Sequence, residues 1–191
     1  MTPILANGKK MKTKTIKVKL DEKRIYKLIS LMQPITKNIN KPKWWGDGRS
    51  KEEKQIAKQY AGKDIFYEWN SNKLKELIAL VPDKIYKHFN IDKDSAFVCV
   101  NKLPPAMFSS PHVDRHNNFK NNMRVRKKVK RVWISLSAPA LGHAFFLDKK
   151  TVLYNTPKGT AFLWNGKDFH SGVNAGTVDR YYITVDGVAN G

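Results

Sequence analysis

The sequence contains a single cysteine, Cys99, so one chain cannot form an internal disulfide. It also lacks long apolar runs: the longest, at 77–81 and 96–100, fall far short of the roughly 20 residues that a membrane-spanning helix needs. The first ten residues contain no apolar stretch typical of a secretory signal. These absences predict an intracellular, cytoplasmic protein with no membrane partner.

Acidic residues are scarce as well, with 16 Asp and Glu against 36 Lys and Arg, which gives a formal net charge of +20. Residues 1–43 hold twelve basic and two acidic residues, and residues 115–131 hold eight basic residues and no acid. Such clusters attract nucleic acid or another polyanion by counterion release. However, only seven of the basic residues are Arg, and the chain has 15 Asn, which also fits a bias in composition. Charge alone therefore leaves the partner open.

The chain is long enough for one domain with a hydrophobic core, because 41% of its 191 residues are hydrophobic and no repeat or low-complexity linker divides it. We expect a single domain over 1–191, in which 1–95 is a mainly helical support region. The elements predicted there are a half-buried strand at 13–20, a helix at 22–32, a loop at 34–48, and a helix at 72–89 broken at Pro82.

After residue 91 the pattern changes to short apolar strands separated by Pro, Gly and Asn. The predicted strands are 96–102, 107–114, 124–129, 131–137, 144–148, 151–154, 160–164, 169–173 and 181–185. Short strands at such regular spacing favour an antiparallel jelly-roll, here over 96–188, with the preceding helices on one outer face. The predicted fold is mainly β with N-terminal helices (α+β).

Two histidines and one aspartate in this region have the pattern of a metal site. His112 and Asp114 are separated by one residue in a predicted strand, so their side chains point to the same face. His170 begins a different predicted strand. Two imidazoles and one carboxylate can bind one face of a metal and leave three octahedral positions open, as in non-haem Fe(II) oxygenases. The His-x-Asp triplet is common by chance, and its place among turns and strands makes the hypothesis specific.

Arg180 opens the predicted strand after His170, and Tyr182 shares its face by the same period of two. A planar guanidinium can hold a carboxylate through two parallel hydrogen bonds. We therefore expect Arg180 to bind the far end of a dicarboxylate whose near end chelates the metal.

Other residues offer alternatives. His116, four positions after His112, has the ligand spacing of a helix, although two asparagines follow it and favour a loop. Asp168, two residues before His170, is an alternative to Asp114 as the carboxylate ligand. His88 and His143 are expected at surface or packing positions, and Cys99, inside a predicted apolar strand, is expected to be an inert buried thiol.

The pattern resembles that of the Fe(II)/2-oxoglutarate-dependent dioxygenases, a superfamily built on a double-stranded β-helix, the cupin-like jelly-roll. The similarity covers 96–188, and its motif is His112-x-Asp114, His170 and Arg180. The local sequence at 131–134, 157–159 and 169–174 looks most like the aspartyl/asparaginyl β-hydroxylase and prolyl-hydroxylase branch.

The resemblance implies that the two histidines and the aspartate ligate Fe(II) as the catalytic centre, and that Arg180 binds 2-oxoglutarate. It also implies that O₂ and 2-oxoglutarate are consumed, succinate and CO₂ are released, and a substrate carbon is hydroxylated or oxidatively demethylated. Two positions depart from the family pattern. Tyr182, expected beside the 2-oxoglutarate, stands where many relatives have Ser, and Trp133 stands where the β-hydroxylases usually have His.

The sequence gives less specific expectations for the substrate-binding residues. By its place in the resemblance, Arg131 binds a substrate carboxylate or phosphate; otherwise it is a solvated charge at a strand end. Trp133, Trp44 and Trp45 are expected either to wall the reaction centre or to pack in the core. The basic run 120–131 directly follows the His-x-Asp motif, which would place a bound polyanion near the site.

The sequence is compatible with three functions. The leading hypothesis is an Fe(II)/2-oxoglutarate-dependent dioxygenase that acts on a protein side chain, a free amino acid or a nucleic-acid base. The second is a basic nucleic-acid-binding protein with a non-catalytic jelly-roll. The third is a cupin-like metalloenzyme that does not use 2-oxoglutarate.

Overall fold

The computed structural model describes residues 14–38, 50–51, 55, 65–109, 111–114, 116, 129–147, 151–154, 156–164 and 169–190. Three helices and eleven strands have their bounds within these ranges. The helices are α1 (Glu22–Ser30), α2 (Glu76–Leu80) and α3 (Asp83–Phe89). The strands are β1 (Thr15–Lys17), β2 (Ile35–Asn38), β3 (Ile65–Asn70), β4 (Phe97–Leu103), β5 (Met107–Phe108), β6 (Val129–Ser135), β7 (His143–Leu147), β8 (Thr151–Tyr154), β9 (Thr160–Leu163), β10 (His170–Asn174) and β11 (Arg180–Val188). No helix in the described ranges is long and apolar enough to cross a membrane.

The strands form two antiparallel sheets. The large sheet has the order β1-β9-β6-β11-β4-β3-β2, and the small sheet has the order β5-β10-β7-β8. From β4 onward the chain passes repeatedly between the sheets, so that β4, β6, β9 and β11 lie in the large one and β5, β7, β8 and β10 in the small one. This order is that of a jelly-roll, or double-stranded β-helix. The predicted fold class, a cupin-like β core flanked by helices, is confirmed.

The large sheet has a different core on each face, because successive side chains of a strand point in opposite directions. Along β6, Val132 and Ile134 pack in the core that also contains the helices, whereas Trp133 packs between the two sheets. Ile25 and Ile29, one turn apart on α1, join the helical core. The apolar side chains that α2 and α3 add to it are Leu77, Leu80, Ile85, Tyr86 and Phe89.

Local sequence signals begin and end these helices. The Asp21 side chain caps α1 by accepting a hydrogen bond from the Arg24 backbone N–H at 3.1 Å. Pro82 separates α2 from α3, as the sequence predicted, and Asn90 ends α3 in a left-handed conformation with φ of 51°. The helices therefore form a layer on the outer face of the large sheet, which confirms the predicted arrangement.

The predictions for the N-terminal region need two corrections. Ile35–Asn38, expected to be part of a loop, is strand β2, and the mainly helical region also contains β3, which was not predicted. These two strands pair with each other and extend the large sheet beyond β4. Pairing with neighbouring strands stabilises β2 and β3 more than their own side-chain patterns do, so periodicity does not reveal them.

Candidate metal centre

The backbone brings the two metal-site histidines side by side. After β5 the chain continues along β10, where His112 and His170 pair as an isolated β-bridge. The His112 N–H donates to the His170 carbonyl at 3.0 Å, and the His170 N–H donates to the His112 carbonyl at 2.9 Å. Their ring centroids are 4.3 Å apart. The predicted strand 107–114 is thus reduced to Met107–Phe108 and this one bridge.

Asp114 completes the cluster, although it lies in the segment after the bridge and not in a strand. Its Oδ1 is 3.7 Å from His112 Nε2, and its Oδ2 is 3.4 Å from His170 Nε2. One donor atom from each of the three residues lies within 4.8 Å of the others. The side chains of Asp114 and His170 are 3% and 5% exposed, whereas that of His112 is 21% exposed, so the cluster is open to solvent on the His112 side.

The chemistry of these groups fits a divalent metal ion. Asp114 Oδ2 is buried and accepts no hydrogen bond from the described residues. Burial alone would raise the pKa of Asp114, but the Arg131 guanidinium and the nearby imidazoles hold it below its ordinary value. A buried, ionised carboxylate oxygen needs a cation or a donor, and two imidazoles with one carboxylate suit a first-row transition metal.

Arg131 lies directly behind Asp114 and is not the solvated strand-end charge that the sequence favoured. Its Nη1 donates to Asp114 Oδ1 at 2.5 Å, while its Nε and Nη2 donate to the two carboxylate oxygens of Asp186 at 2.6 and 2.5 Å. Burial would lower the pKa of Arg131, but the two carboxylates raise it well above its ordinary value. Arg131 faces inward because it alternates with Val132 along β6.

Asp186 also belongs to the site, although no pattern in the sequence singled it out. It lies on β11 directly opposite Arg131 on β6, so the two side chains form a cross-strand pair. Only the register between β6 and β11 reveals this pairing. The sequence shows only a single acidic residue directly after the predicted apolar strand 181–185.

Arg180 is buried inside the jelly-roll at 4% exposure. Its Nη1 donates to the carbonyls of Ala144 and Val173, at 2.5 and 2.9 Å, and its guanidinium carbon lies 5.3 Å from the centroid of the Trp133 ring. No carboxylate among the described residues forms an ion pair with it. Burial lowers the pKa of Arg180 to about 10, so it remains a cation at neutral pH.

Aromatic rings connect the arginine to the metal cluster. The Trp133 ring stacks on Tyr182 at 5.7 Å and contacts Phe145, which in turn stacks on His170 at 5.9 Å. Trp164 lies 4.8 Å from the same His170 ring. Tyr182 and Trp133 therefore line the space between the sheets, and burial raises the pKa of the Tyr182 hydroxyl.

The other candidates fall outside the three-residue cluster. His116 has a left-handed backbone with φ of 53°, and its Nδ1 lies 3.6 Å from Asp186 Oδ1. One ring nitrogen of His143 lies 3.3 Å from the Val178 carbonyl. Cys99 is buried, as expected. Three residues proposed from the sequence, Asp168, Trp44 and Trp45, lie outside the described residues.

No protein-family model matches this chain, and no curated protein matches it. Solved structures similar to it include a protein from Thermotoga maritima described as a predicted oxalate decarboxylase, 14% identical, covering 83% of this chain and 95% of that chain with a TM-score of 0.46. A cupin domain from Bordetella pertussis is 11% identical, with coverage of 49% and 82% and a TM-score of 0.36. A Klebsiella pneumoniae protein with a double-stranded β-helix domain is 15% identical, with coverage of 53% and 70% and a TM-score of 0.36. At these TM-scores the likeness carries no conclusion about activity, and the jelly-roll assignment rests on the strand order.

Proposed function

We propose that this protein is an Fe(II)- and 2-oxoglutarate-dependent dioxygenase that hydroxylates, or oxidatively demethylates, a substrate carbon and releases succinate and CO₂. The observation that carries the proposal is a buried cation, Arg180, that forms no ion pair with a carboxylate of the described residues and lies in the same jelly-roll interior as the metal cluster. A metal site alone would fit many activities. A metal site together with an interior guanidinium that no described carboxylate neutralises favours a ligand that is both a chelator and an anion.

The residues that would hold Fe(II) are His112, Asp114 and His170. Bound there with 2-oxoglutarate and O₂, the ion would supply the oxidative decarboxylation that drives attack on a substrate carbon. Three protein ligands on one face of a metal leave the remaining positions to small ligands. At the metal, the protein would hold the two imidazoles and one carboxylate oxygen in place.

The position of Arg180 suits a five-carbon dicarboxylate. Its Nη1 contacts the carbonyl of Val173, which lies three residues along β10 from His170. With a rise of about 3.3 Å per residue, this contact is roughly 10 Å along the strand from the metal cluster. The described contacts of the guanidinium use only Nη1, so Nε and Nη2 are available to a bound carboxylate.

The aromatic wall would strengthen that contact. Between the sheets, the side chains that surround the arginine and His170 are mostly aromatic and at most 5% exposed: Trp133, Phe145, Phe162 and Trp164. Such a wall excludes water and lowers the local dielectric, which makes an arginine–carboxylate pair stronger than it is at the surface. It would also keep the reacting atoms away from bulk solvent.

Turnover of 2-oxoglutarate to succinate without added substrate tests the proposal. We expect succinate production that requires Fe(II) and stops when a chelator removes it. Arg180→Met should raise the apparent KM for 2-oxoglutarate by about 10-fold to 100-fold, because two charge-assisted hydrogen bonds are lost. The control is Lys102→Met on the neighbouring strand, where the lysine pairs with Asp179 at the surface; its KM should match that of the wild type.

Two results would contradict the proposal and favour the alternatives. Fe(II)-dependent chemistry that is indifferent to 2-oxoglutarate would indicate a cupin-like metalloenzyme. Salt-sensitive nucleic-acid binding that persists with chelator, without any succinate, would indicate a non-catalytic binding protein.

A further inference from the structure

The guanidinium of Arg131 is shared between two carboxylates. Its Nε and Nη2 form a forked, bidentate contact with Asp186, and its Nη1 bonds to Oδ1 of Asp114. Each of the three guanidinium nitrogens therefore donates to an acid. Both carboxylates are buried, at 3% exposure for the Asp114 side chain and 4% for the Asp186 side chain. A planar fork fixes the orientation of such partners in a way that an ammonium group does not.

The two oxygens of Asp114 consequently have different environments. Oδ1 is held by Arg131 at 2.5 Å, whereas Oδ2 accepts no hydrogen bond from the described residues and faces His170 Nε2 at 3.4 Å. The Arg131 hydrogen bond occupies one lone pair of Oδ1, so Oδ2 is the oxygen better placed to bind a metal. A carboxylate that binds through one oxygen occupies one coordination position, and a bidentate carboxylate would occupy two.

The charges argue against a substrate role for Arg131. Two ionised carboxylates around one guanidinium leave this group of three side chains with a net charge of −1. A third carboxylate or a phosphate would therefore be repelled, while a metal cation would be attracted. The role that the family resemblance implies for Arg131, binding a substrate anion, does not fit these contacts.

We propose that Arg131 is a positioning residue which, anchored by Asp186, holds Asp114 so that it binds the metal through Oδ2 alone. This inference rests on the proposed function, since it needs a metal at the His112, Asp114 and His170 cluster. It adds two residues to the site, Arg131 and Asp186, which hold the metal ligand Asp114 in place. Neighbours that orient metal ligands typically contribute 10-fold to 100-fold to metal affinity.

Binding of Mn(II) to the metal-free protein tests this directly and does not depend on activity. The free-ion signal in electron paramagnetic resonance gives the Kd, and the signal of the bound ion reports its ligand geometry. Arg131→Lys keeps the positive charge but cannot make the three contacts, so the Kd should rise about 10-fold to 100-fold and the bound-ion spectrum should change. Asp186→Asn, which weakens the anchor, should change both in the same direction by a smaller amount.

The matched control is Lys130→Gln. Lys130 is the next cation along β6, and its Nζ donates to the carbonyls of Phe89 and Asn90 on the helical side of the sheet. The Mn(II) affinity of the Lys130→Gln variant should equal that of the wild type. Far-ultraviolet circular dichroism establishes which variants fold, and Asp186→Asn decides the question if Arg131→Lys does not fold.

The outcomes separate the two proposals. If the wild-type protein binds Mn(II) and the folded Arg131→Lys and Asp186→Asn variants bind it equally tightly with the same spectrum, the positioning role is wrong and the metal centre stands. If the wild-type protein does not bind one Mn(II) per chain, or Asp114→Ala binds it as tightly as the wild type, the metal centre itself is wrong.

Discussion

Arg180 carries a buried positive charge, and removing that charge from water opposes folding. Its guanidinium has left water, it has no ion-pair partner among the described residues, and burial lowers its pKa to about 10. Two backbone carbonyls and the face of Trp133 offset part of that loss. A buried charge with incomplete compensation is typical of residues kept for binding rather than for stability.

We therefore predict that Arg180→Met, which is similar in length and apolar, leaves the free energy of unfolding unchanged or raises it by up to about 4 kcal/mol. With Mn(II) present throughout, 2-oxoglutarate at about 100 times its wild-type Kd should then stabilise the wild-type protein by about 2.7 kcal/mol and the variant, which binds it about 10-fold to 100-fold more weakly, by only about 0.4–1.4 kcal/mol. Urea unfolding with and without 2-oxoglutarate measures both effects. A variant clearly less stable than the wild type would mean that Arg180 mainly supports the fold.

Residue spacing predicted that two histidines and one aspartate come together, but not how they are held. The structure brings His112, Asp114 and His170 together; their role as metal ligands stays a prediction. The expected reason for the pairing was a continuous strand from 107 to 114, whereas the observed one is a single β-bridge to His170. Asp186 was missed because its partner, Arg131, is 55 residues away in the chain and the pairing depends on sheet register.

At the scale of elements, one glycine turn attaches the N-terminal strand to the jelly-roll. Gly159 has φ of 76°, its N–H donates to the Ser135 carbonyl at 2.7 Å, and its carbonyl accepts from the Val18 N–H at 2.9 Å. A Cβ at this position would lie 2.1 Å from the Val18 carbonyl oxygen. Both the backbone conformation and the close approach require glycine.

Gly159→Ala should lower the free energy of unfolding by about 1–3 kcal/mol, because it adds backbone strain and displaces Val18 from its partner. Gly172→Ala is the matched control in a strand, since its Cβ would meet Ser109 Oγ at 3.6 Å, an ordinary contact. Urea unfolding of both variants gives the comparison. Equal stability of the two would show that the turn does not anchor β1.

The strands of the jelly-roll were predictable because apolar segments and turn residues alternate clearly after residue 91. The strands β7, β8, β9 and β10 lie within one residue of their predicted bounds. The strands β2 and β3 were not predicted, because they form an extension at the sheet edge where pairing, not burial pattern, decides the structure. The sequence also does not specify the order of the strands, which depends on contacts between distant segments.

At the scale of the whole molecule, the large sheet divides the protein into a helical core and a core between the sheets. The helical core is apolar, whereas the large sheet presents Arg131, Tyr182, Arg180 and Asp186 toward the small sheet. The polar side of this one sheet is where the proposed chemistry takes place. Strands from both 1–95 and 96–188 belong to it, and the assignment of the chain to a single domain stays a prediction.

Among the described residues, the positive charge lies mostly outside this interior. On α1, Lys23, Arg24 and Lys27 are solvent-facing, and surface ion pairs such as Lys93 with Asp83 contribute little to stability. A surface of this kind attracts anions without specifying them. Nucleic acid or another polyanion as partner, and a protein side chain or free amino acid as substrate, stay predictions.

A crystal structure of the protein with Mn(II) and 2-oxoglutarate, from crystals grown without oxygen, tests the central claim most directly. We predict one metal ion bound by His112, Asp114 and His170, with 2-oxoglutarate chelating it and its far carboxylate on the Arg180 guanidinium. An ion bound elsewhere, or 2-oxoglutarate placed away from Arg180 at full occupancy of the metal site, would contradict the claim.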